Sequence, residues 1–231
     1  MANIVEVKNF SKYYGKKLVL KDLNFTIPKG QIVGLFGENG CGKTTLLKTM
    51  AGLLKDYTGE ILIDSEKIGV HTKSVVSYLP DISYFNKNMT PKKAIDIFSD
   101  FYSDFDRKKA LSIIQDLGLN ENMKILKMSK GMQEKFSIAM VMSRKAKLYI
   151  LDEPLGGIDP TARDYILDTI IKNYNEDSSI LLSTHLINDV ERIFDKAIFI
   201  KDGSIVLNEY VDVIREEKGM SIDKLFREVY R

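Results

Sequence analysis

The sequence predicts an α/β fold: a mostly parallel sheet core flanked by helices, with a small antiparallel β-subdomain and an inserted helical subdomain. Three observations predict it. Short apolar runs such as IVGLF and LYIL recur without alternation, as strands buried on both faces do. Segments with helical periodicity separate these runs. The strand pattern is replaced by helical spacing over residues 83–147 and resumes at Leu148.

The elements follow in order. Ile4 to Val7 and Leu23 to Ile27 alternate apolar and polar side chains, as strands of the antiparallel sheet should. IPKG is a turn, Ile32 to Phe36 a buried strand, and Thr44 to Leu54 a helix with Leu46, Leu47, Met50 and Leu53 or Leu54 at helical spacing. GEILIDS (Gly59 to Ser65) and SVVSYL (Ser74 to Leu79) read as two more strands. Thr90 before Pro91 is an N-cap with proline at the first helical position, and Ile95, Phe98 and Phe101 or Tyr102 follow. Asp106 caps the next helix, which carries Leu111, Ile114 and Leu117 and ends at Gly118. Ser129 caps a third, with Met132, Phe136, Ala139 and Met140 on one face; its methionines are read as core packing. LYIL and SILLSTH are buried strands ended by Asp152-Glu153 and His185. Helices run from Pro160 to about Tyr174 and from about Leu186 to Phe194, and AIFIKDGSIVL is a hairpin around Asp202-Gly203. The chain is thus read as one domain. Residues 1–82 and 148–208 form the core with its β-subdomain, 83–147 the helical subdomain, and 209–231 a helical tail.

Composition narrows the function classes. With 231 residues, 44% hydrophobic and 29% charged, the chain is an ordinary globular protein. A net charge of +2, with lysines spread along the chain, gives no basic footprint for nucleic acid. Cys41 is the single cysteine, so no internal disulfide forms, which fits a reducing compartment. MANIVEVKNF lacks the layout of a signal peptide, and no apolar run approaches the ~18 residues of a membrane span. A cytoplasmic protein is expected, brought to a membrane only by a partner.

Gly37 to Thr44 reads GENGCGKT, a phosphate-binding pattern. A glycine turn with a lysine could join any strand to any helix, but here a buried strand precedes it and a helix follows, the context the motif requires. Its glycines let the backbone approach an anion, successive N–H groups and the helix N-terminus face the phosphates, Lys43 adds a mobile charge, and the Thr44 hydroxyl can ligate Mg²⁺. The nucleotide-binding set is Gly37, Glu38, Asn39, Gly40, Cys41, Gly42, Lys43, Thr44 and Thr45. The position of Cys41 at a helix N-terminus predicts a lowered thiol pKa. Asp152-Glu153 follows four apolar residues and is closed by Pro154, which is more than a charged turn requires. His185 is one of two histidines; His71, without such a context, is read as surface. In a parallel sheet Glu38 to Thr44, Asp152-Glu153 and His185 would all emerge beyond the carboxyl ends of the strands.

Taken together, GENGCGKTT, MSKGMQEK (Met128 to Lys135), LYILDEP, GGIDP (Gly156 to Pro160) and STH (Ser183 to His185) resemble, in that order, the Walker A, signature, Walker B, D-loop and switch-histidine motifs of the nucleotide-binding domain of an ABC (ATP-binding cassette) transporter. The resemblance covers essentially the whole chain. It implies a RecA-like P-loop NTPase core that hydrolyses ATP with Mg²⁺. Glu153 would be the general base, His185 would contact the γ-phosphate and position Glu153, and Lys43 would hold the phosphates. Thr44, Asp152 and Asp81 would face the metal. Tyr14 resembles the aromatic on which adenine stacks, with the adjacent Tyr13 and simple packing as competing readings. Ser129, Lys130, Gly131 and Met132 would contact ATP held by a second subunit, with Asp159 in the D-loop between them. The implied partners are that second ATPase subunit, packed head to tail as a homodimer or with a paralogue, and integral membrane permease subunits, at the cytoplasmic face of the cell membrane. No nucleic acid is implied. The departures are Lys130 for glycine and Met132 for glutamine in the signature, with Gln133 displaced by one; Ile158 for leucine in the D-loop; and Asp81 for the Q-loop glutamine. Asp81 with the S-K-G-M signature resembles bacterial drug- and peptide-resistance exporters. A soluble ABC ATPase acting on nucleic acid or in assembly is the alternative. Retention of Lys43, Asp152, Glu153 and His185 counts against a non-hydrolysing regulatory subunit.

Overall fold

The computed structural model describes residues 2–175 and 177–231. Two long strands open the chain, β1 (Asn3–Tyr14) and β2 (Lys17–Pro28). Then come β3 (Ile32–Phe36), α1 (Lys43–Met50), β4 (Tyr57–Ile63), β5 (Glu66–Lys67), α2 (Val70–Val75) and β6 (Val76–Leu79). The helical stretch holds α3 (Pro91–Phe101), α4 (Arg107–Asp116), a 3₁₀ turn at Ile125–Lys127 and α5 (Lys130–Met142). The remainder is β7 (Leu148–Asp152), α6 (Pro160–Asn173), β8 (Ser179–Ser183), α7 (Ile187–Val190) with a 3₁₀ turn at Glu191–Ile193, β9 (Lys196–Lys201), β10 (Ser204–Tyr210), α8 (Val211–Lys218) and α9 (Ile222–Val229).

Two sheets result, as the sequence predicts. One is antiparallel, ordered β2-β1-β4-β5, and the other runs β10-β9-β3-β8-β7-β6. In the second, every neighbouring pair is parallel except the edge hairpin β9–β10. Every residue of β3, β7 and β8 is buried, which explains why their sequences are continuous apolar runs. Alternate residues of these strands and of β9 feed two cores. Phe36, Leu151, Leu182 and Phe199 pack with Ile95, Phe136, Ile166 and Leu225 from the helices. Leu35, Ile150, Leu181 and Ile200 pack with Leu46, Leu47 and Met50 of α1 and with Phe10, Leu23 and Ile27 of the antiparallel sheet.

The predicted caps form. Thr90, Asp106 and Ser129 each accept a hydrogen bond from the backbone N–H three residues on, those of Lys93, Lys109 and Met132. Asp202 and Gly203 turn the β9–β10 hairpin with φ values of 49° and 76°, the pairing a two-residue turn needs.

Local details differ from the expectation. Ser74 and Val75, expected in a strand, belong to α2, which Gly69 and the buried Thr72 open through a hydrogen bond from the Gly69 N–H to the Thr72 hydroxyl. Helix α1 stops at Met50, four residues early, because Gly52 follows with φ 72° and Leu53 turns out to solvent. The helix expected over Leu186 to Phe194 is one α-turn followed by a 3₁₀ turn. On α5 Phe136, Ala139 and Met140 are buried as predicted, while Met132 is only partly so.

Arg144, just after α5, joins the helical stretch to the sheet. It donates to both carboxylate oxygens of Asp104 at 3.1 Å and to the carbonyls of Val76 (2.8 Å) and Ser74 (2.9 Å), with its guanidinium 4.1 Å from the Tyr102 ring.

Candidate active site

Strands β3, β8 and β7 lie side by side and end at one edge of the sheet. Their register sets Leu35 beside Ser183, and Ser183 beside Asp152. The phosphate loop after β3, Asp152-Glu153 at the end of β7 and His185 after β8 therefore converge, as the parallel topology requires.

The loop geometry follows from its glycines. A Cβ on Gly37 would stand 2.5 Å from both the Ile200 carbonyl oxygen and Cys41 Sγ, so no side chain fits there. Gly42, at φ 108°, precedes the first turn of α1, and no side chain caps that helix. An anion can take the place of a cap. Lys43 is buried, and its ammonium donates to the carbonyls of Gly37 (2.7 Å) and Glu38 (3.2 Å).

Opposite the loop, Asp152 is buried and its Oδ1 accepts from the Ser183 hydroxyl at 2.7 Å. The Glu153 N–H donates to the same Ser183 hydroxyl oxygen (3.0 Å) and to the Ser183 carbonyl (3.1 Å). Glu153 has φ 50°, a left-handed backbone that is costly for a non-glycine residue, and its Oε2 lies 2.8 Å from His185 Nδ1. Burial raises the pKa of Asp152, and the charges of Asp81 and Glu153 add to this; the Ser183 and Thr44 hydroxyls pull it back. A cavity of about 220 Å³ joins the two sides, bounded by Asn39, Gly40, Lys43, Thr44 and Thr45 from the loop and by Asp81 and Glu153 across from them.

The residues fit a magnesium ion. Asp152 Oδ2 is buried without a hydrogen-bond partner, and the Thr44 hydroxyl is close enough to favour the carboxylate without making that bond. A hard cation with oxygen ligands would satisfy that oxygen and offset the crowding of carboxylates. Mg²⁺ usually takes one or two protein oxygens, with phosphate oxygens and water as its other ligands.

Other predicted residues lie elsewhere. Tyr14 is half exposed at the end of β1 with the Lys12 ammonium 5.3 Å from its ring, and neither it nor Tyr13 lines the cavity. Ser129, Lys130, Gly131 and Met132 open α5 at the surface and do not line it. Asp159 is exposed just before α6. The Lys130 ammonium lies where a Cβ on Gly157 would be, so signature and D-loop touch within the chain. Cys41 corrects an expectation. Its thiol pKa is raised, because burial outweighs the nearby Lys43 charge, and it lines a different cavity from the one Lys43 faces.

Two residues escaped the sequence reading. Ser183 links Asp152 to Glu153, and its one signal was its place in STH. Tyr78 on β6 has a buried hydroxyl without a partner, and burial together with the Asp152 charge pushes its pKa up.

Known proteins resemble this chain in sequence and fold. The family model described as ABC transporter matches residues 20–156. ABC transporter ATP-binding protein YtrB of Bacillus subtilis is 32% identical over 217 residues, covering 93% of this chain and 74% of that protein. Lantibiotic transport ATP-binding protein SrtF of Streptococcus pyogenes is 27% identical over 211 residues, covering 90% of this chain and 92% of its own length. A solved structure of an ATP binding subunit of an ABC transporter superposes with a TM-score of 0.89 at 27% identity, over 99% of this chain and 100% of the other.

Proposed function

The chain belongs to the ABC transporter family and is an ATP-binding ATPase of that family; we propose that it works in a head-to-tail pair to power export through separate membrane-spanning partners. One observation carries the catalytic reading: Ser183 ties Asp152 and Glu153 together, His185 meets Glu153, and Glu153 faces Lys43 and Thr44 across one cavity.

In this reading the loop N–H groups and Lys43 hold the β- and γ-phosphates. Thr44 and Asp152 would hold Mg²⁺, which neutralises phosphate charge when bound, and Asp81 faces the same space. Glu153 accepts the proton of a water that attacks the γ-phosphorus in line with the departing ADP oxygen. His185 Nδ1 fixes the Glu153 carboxylate, and Tyr14 stacks on adenine.

The partners follow from what one chain lacks. It carries one phosphate loop and one signature, so two complete sites need two chains, each loop facing the other's Ser129–Lys130–Gly131–Met132, with Asp159 between. The second chain is another copy or a paralogue. Among the described residues no helix is long and apolar enough to cross a membrane. An apolar groove of about 610 Å³, with Leu53, Ile82, Tyr84 and Tyr102 on its walls, lies between the core and the helical subdomain, residues 83–147, and receives a cytoplasmic helix of the permease. The ATPase thereby sits at the cytoplasmic face of the membrane. The export direction draws on SrtF, a lantibiotic transport protein, and on the S-K-G-M signature.

Glu153→Gln tests the reading. It keeps ATP binding, loses about 10²–10⁴-fold in turnover, and elutes as a dimer only with ATP. Near-normal turnover would remove Glu153 from the role of base.

A further inference from the structure

A second cavity, of about 360 Å³, lies against the phosphate loop. Glu38 and Cys41 of the loop, Lys201 to Gly203 at the β9–β10 turn, and Tyr230 form its walls. Tyr230 follows α9 and is fixed there by several contacts. Its hydroxyl donates to the Ile200 carbonyl at 2.7 Å. The Lys201 ammonium donates to the Val229 carbonyl at 2.7 Å and lies 5.6 Å from the Tyr230 ring. The ring stacks on Phe226 at 4.2 Å, and Phe226 meets Phe199 edge-on at 5.6 Å. The Ile200 carbonyl is also the atom on which Gly37 rests, at 2.5 Å from the place of its missing Cβ. One backbone oxygen thus bears the first glycine of the phosphate loop and accepts the hydroxyl of Tyr230.

The geometry points to Tyr230 as a positioning residue for ATP binding, which holds the Ile200 carbonyl that seats Gly37. The inference rests on the ATP-site reading of the loop. Lys43 ties the loop to itself through the carbonyls of Gly37 and Glu38. An ammonium has three donors, so contacts to two phosphates compete with those carbonyls. Once Lys43 turns to phosphate, the loop depends more on its seat. Loss of the Tyr230 hydroxyl therefore weakens the ATP-engaged loop more than the empty one. A single protein hydrogen bond corresponds to about a two- to tenfold change in an equilibrium constant.

Cys41, the single cysteine, reports on this cavity directly. In the full-length chain, Tyr230→Phe and Tyr230→Ala are compared with the parent for ATP Kd, kcat, and the rate at which 5,5′-dithiobis(2-nitrobenzoate) modifies Cys41 without nucleotide. Tyr230→Phe, which keeps the ring, raises Kd about two- to tenfold with a smaller change in kcat, and speeds Cys41 modification. Tyr230→Ala speeds modification further. An unchanged Kd or an unchanged thiol rate in Tyr230→Phe overturns the assignment, whatever its Tm. Lys43→Ala separates the two readings: retention of ATP affinity there would refute the phosphate site itself, while the thiol rates still report on Tyr230.

Discussion

Ser183 places the two acidic residues of the site with one side chain. Its hydroxyl donates a hydrogen bond to Asp152 and accepts one from the Glu153 N–H, so the two carboxylates are fixed relative to each other. Ser183→Ala removes a hydrogen bond to a charged group and lowers turnover about tenfold or more. It also raises the Mg²⁺ concentration for half-maximal activity. Asp81→Ala raises that concentration too, with ATP affinity kept; a Mg²⁺ titration of steady-state hydrolysis checks both, and an unchanged midpoint in Asp81→Ala would leave Asp81 as a hinge only. At this scale the convergence of the phosphate loop, Asp152, Glu153 and His185 was legible, because each follows an apolar strand of the parallel sheet. Ser183 was not, since its partners lie about thirty residues away and are brought near by strand register. The sense of the Cys41 shift was missed because a helix N-terminus is visible in sequence and burial is not.

Elements were legible where their signals are local. The caps at Thr90, Asp106 and Ser129 each depend on four consecutive residues, and all three form. Helix α2 was hidden because it is only six residues long and runs into the apolar strand β6. On α5, Glu134 carries a consequence for pH. Burial pushes its carboxyl up from 4.5 to about 7; Lys130 pulls it back and Asp81 adds to the rise. The folded state then binds this proton more tightly than the unfolded state. Stability from this group is full below the ordinary value and is lost as pH rises through about 7. Glu134→Gln should therefore raise the urea midpoint at about pH 8 and change it little at about pH 4. An equal shift at both pH values would mean that ionisation of Glu134 is not the cause.

For the whole molecule, the parallel order of the large sheet was legible from alternating strands and helices, whereas the grooves between its parts were not, since they depend on packing across distant segments. Leu53 is 60% exposed on the apolar groove. Leu53→Glu should keep hydrolysis by the isolated subunit and lose co-purification of a membrane partner from solubilised membranes; retained co-purification would exclude the groove as the docking place. Arg144 stands at one wall of this groove and at one end of α5, gripping the carbonyls of Ser74 and Val76 on one side and Asp104 on the other. Mechanically it is a fulcrum. The 13 residues of α5 form a lever of about 20 Å whose far tip carries Ser129. A push in the groove that tilts this lever by about 10° sweeps Ser129 through about 3–4 Å, more than the reach of one hydrogen bond.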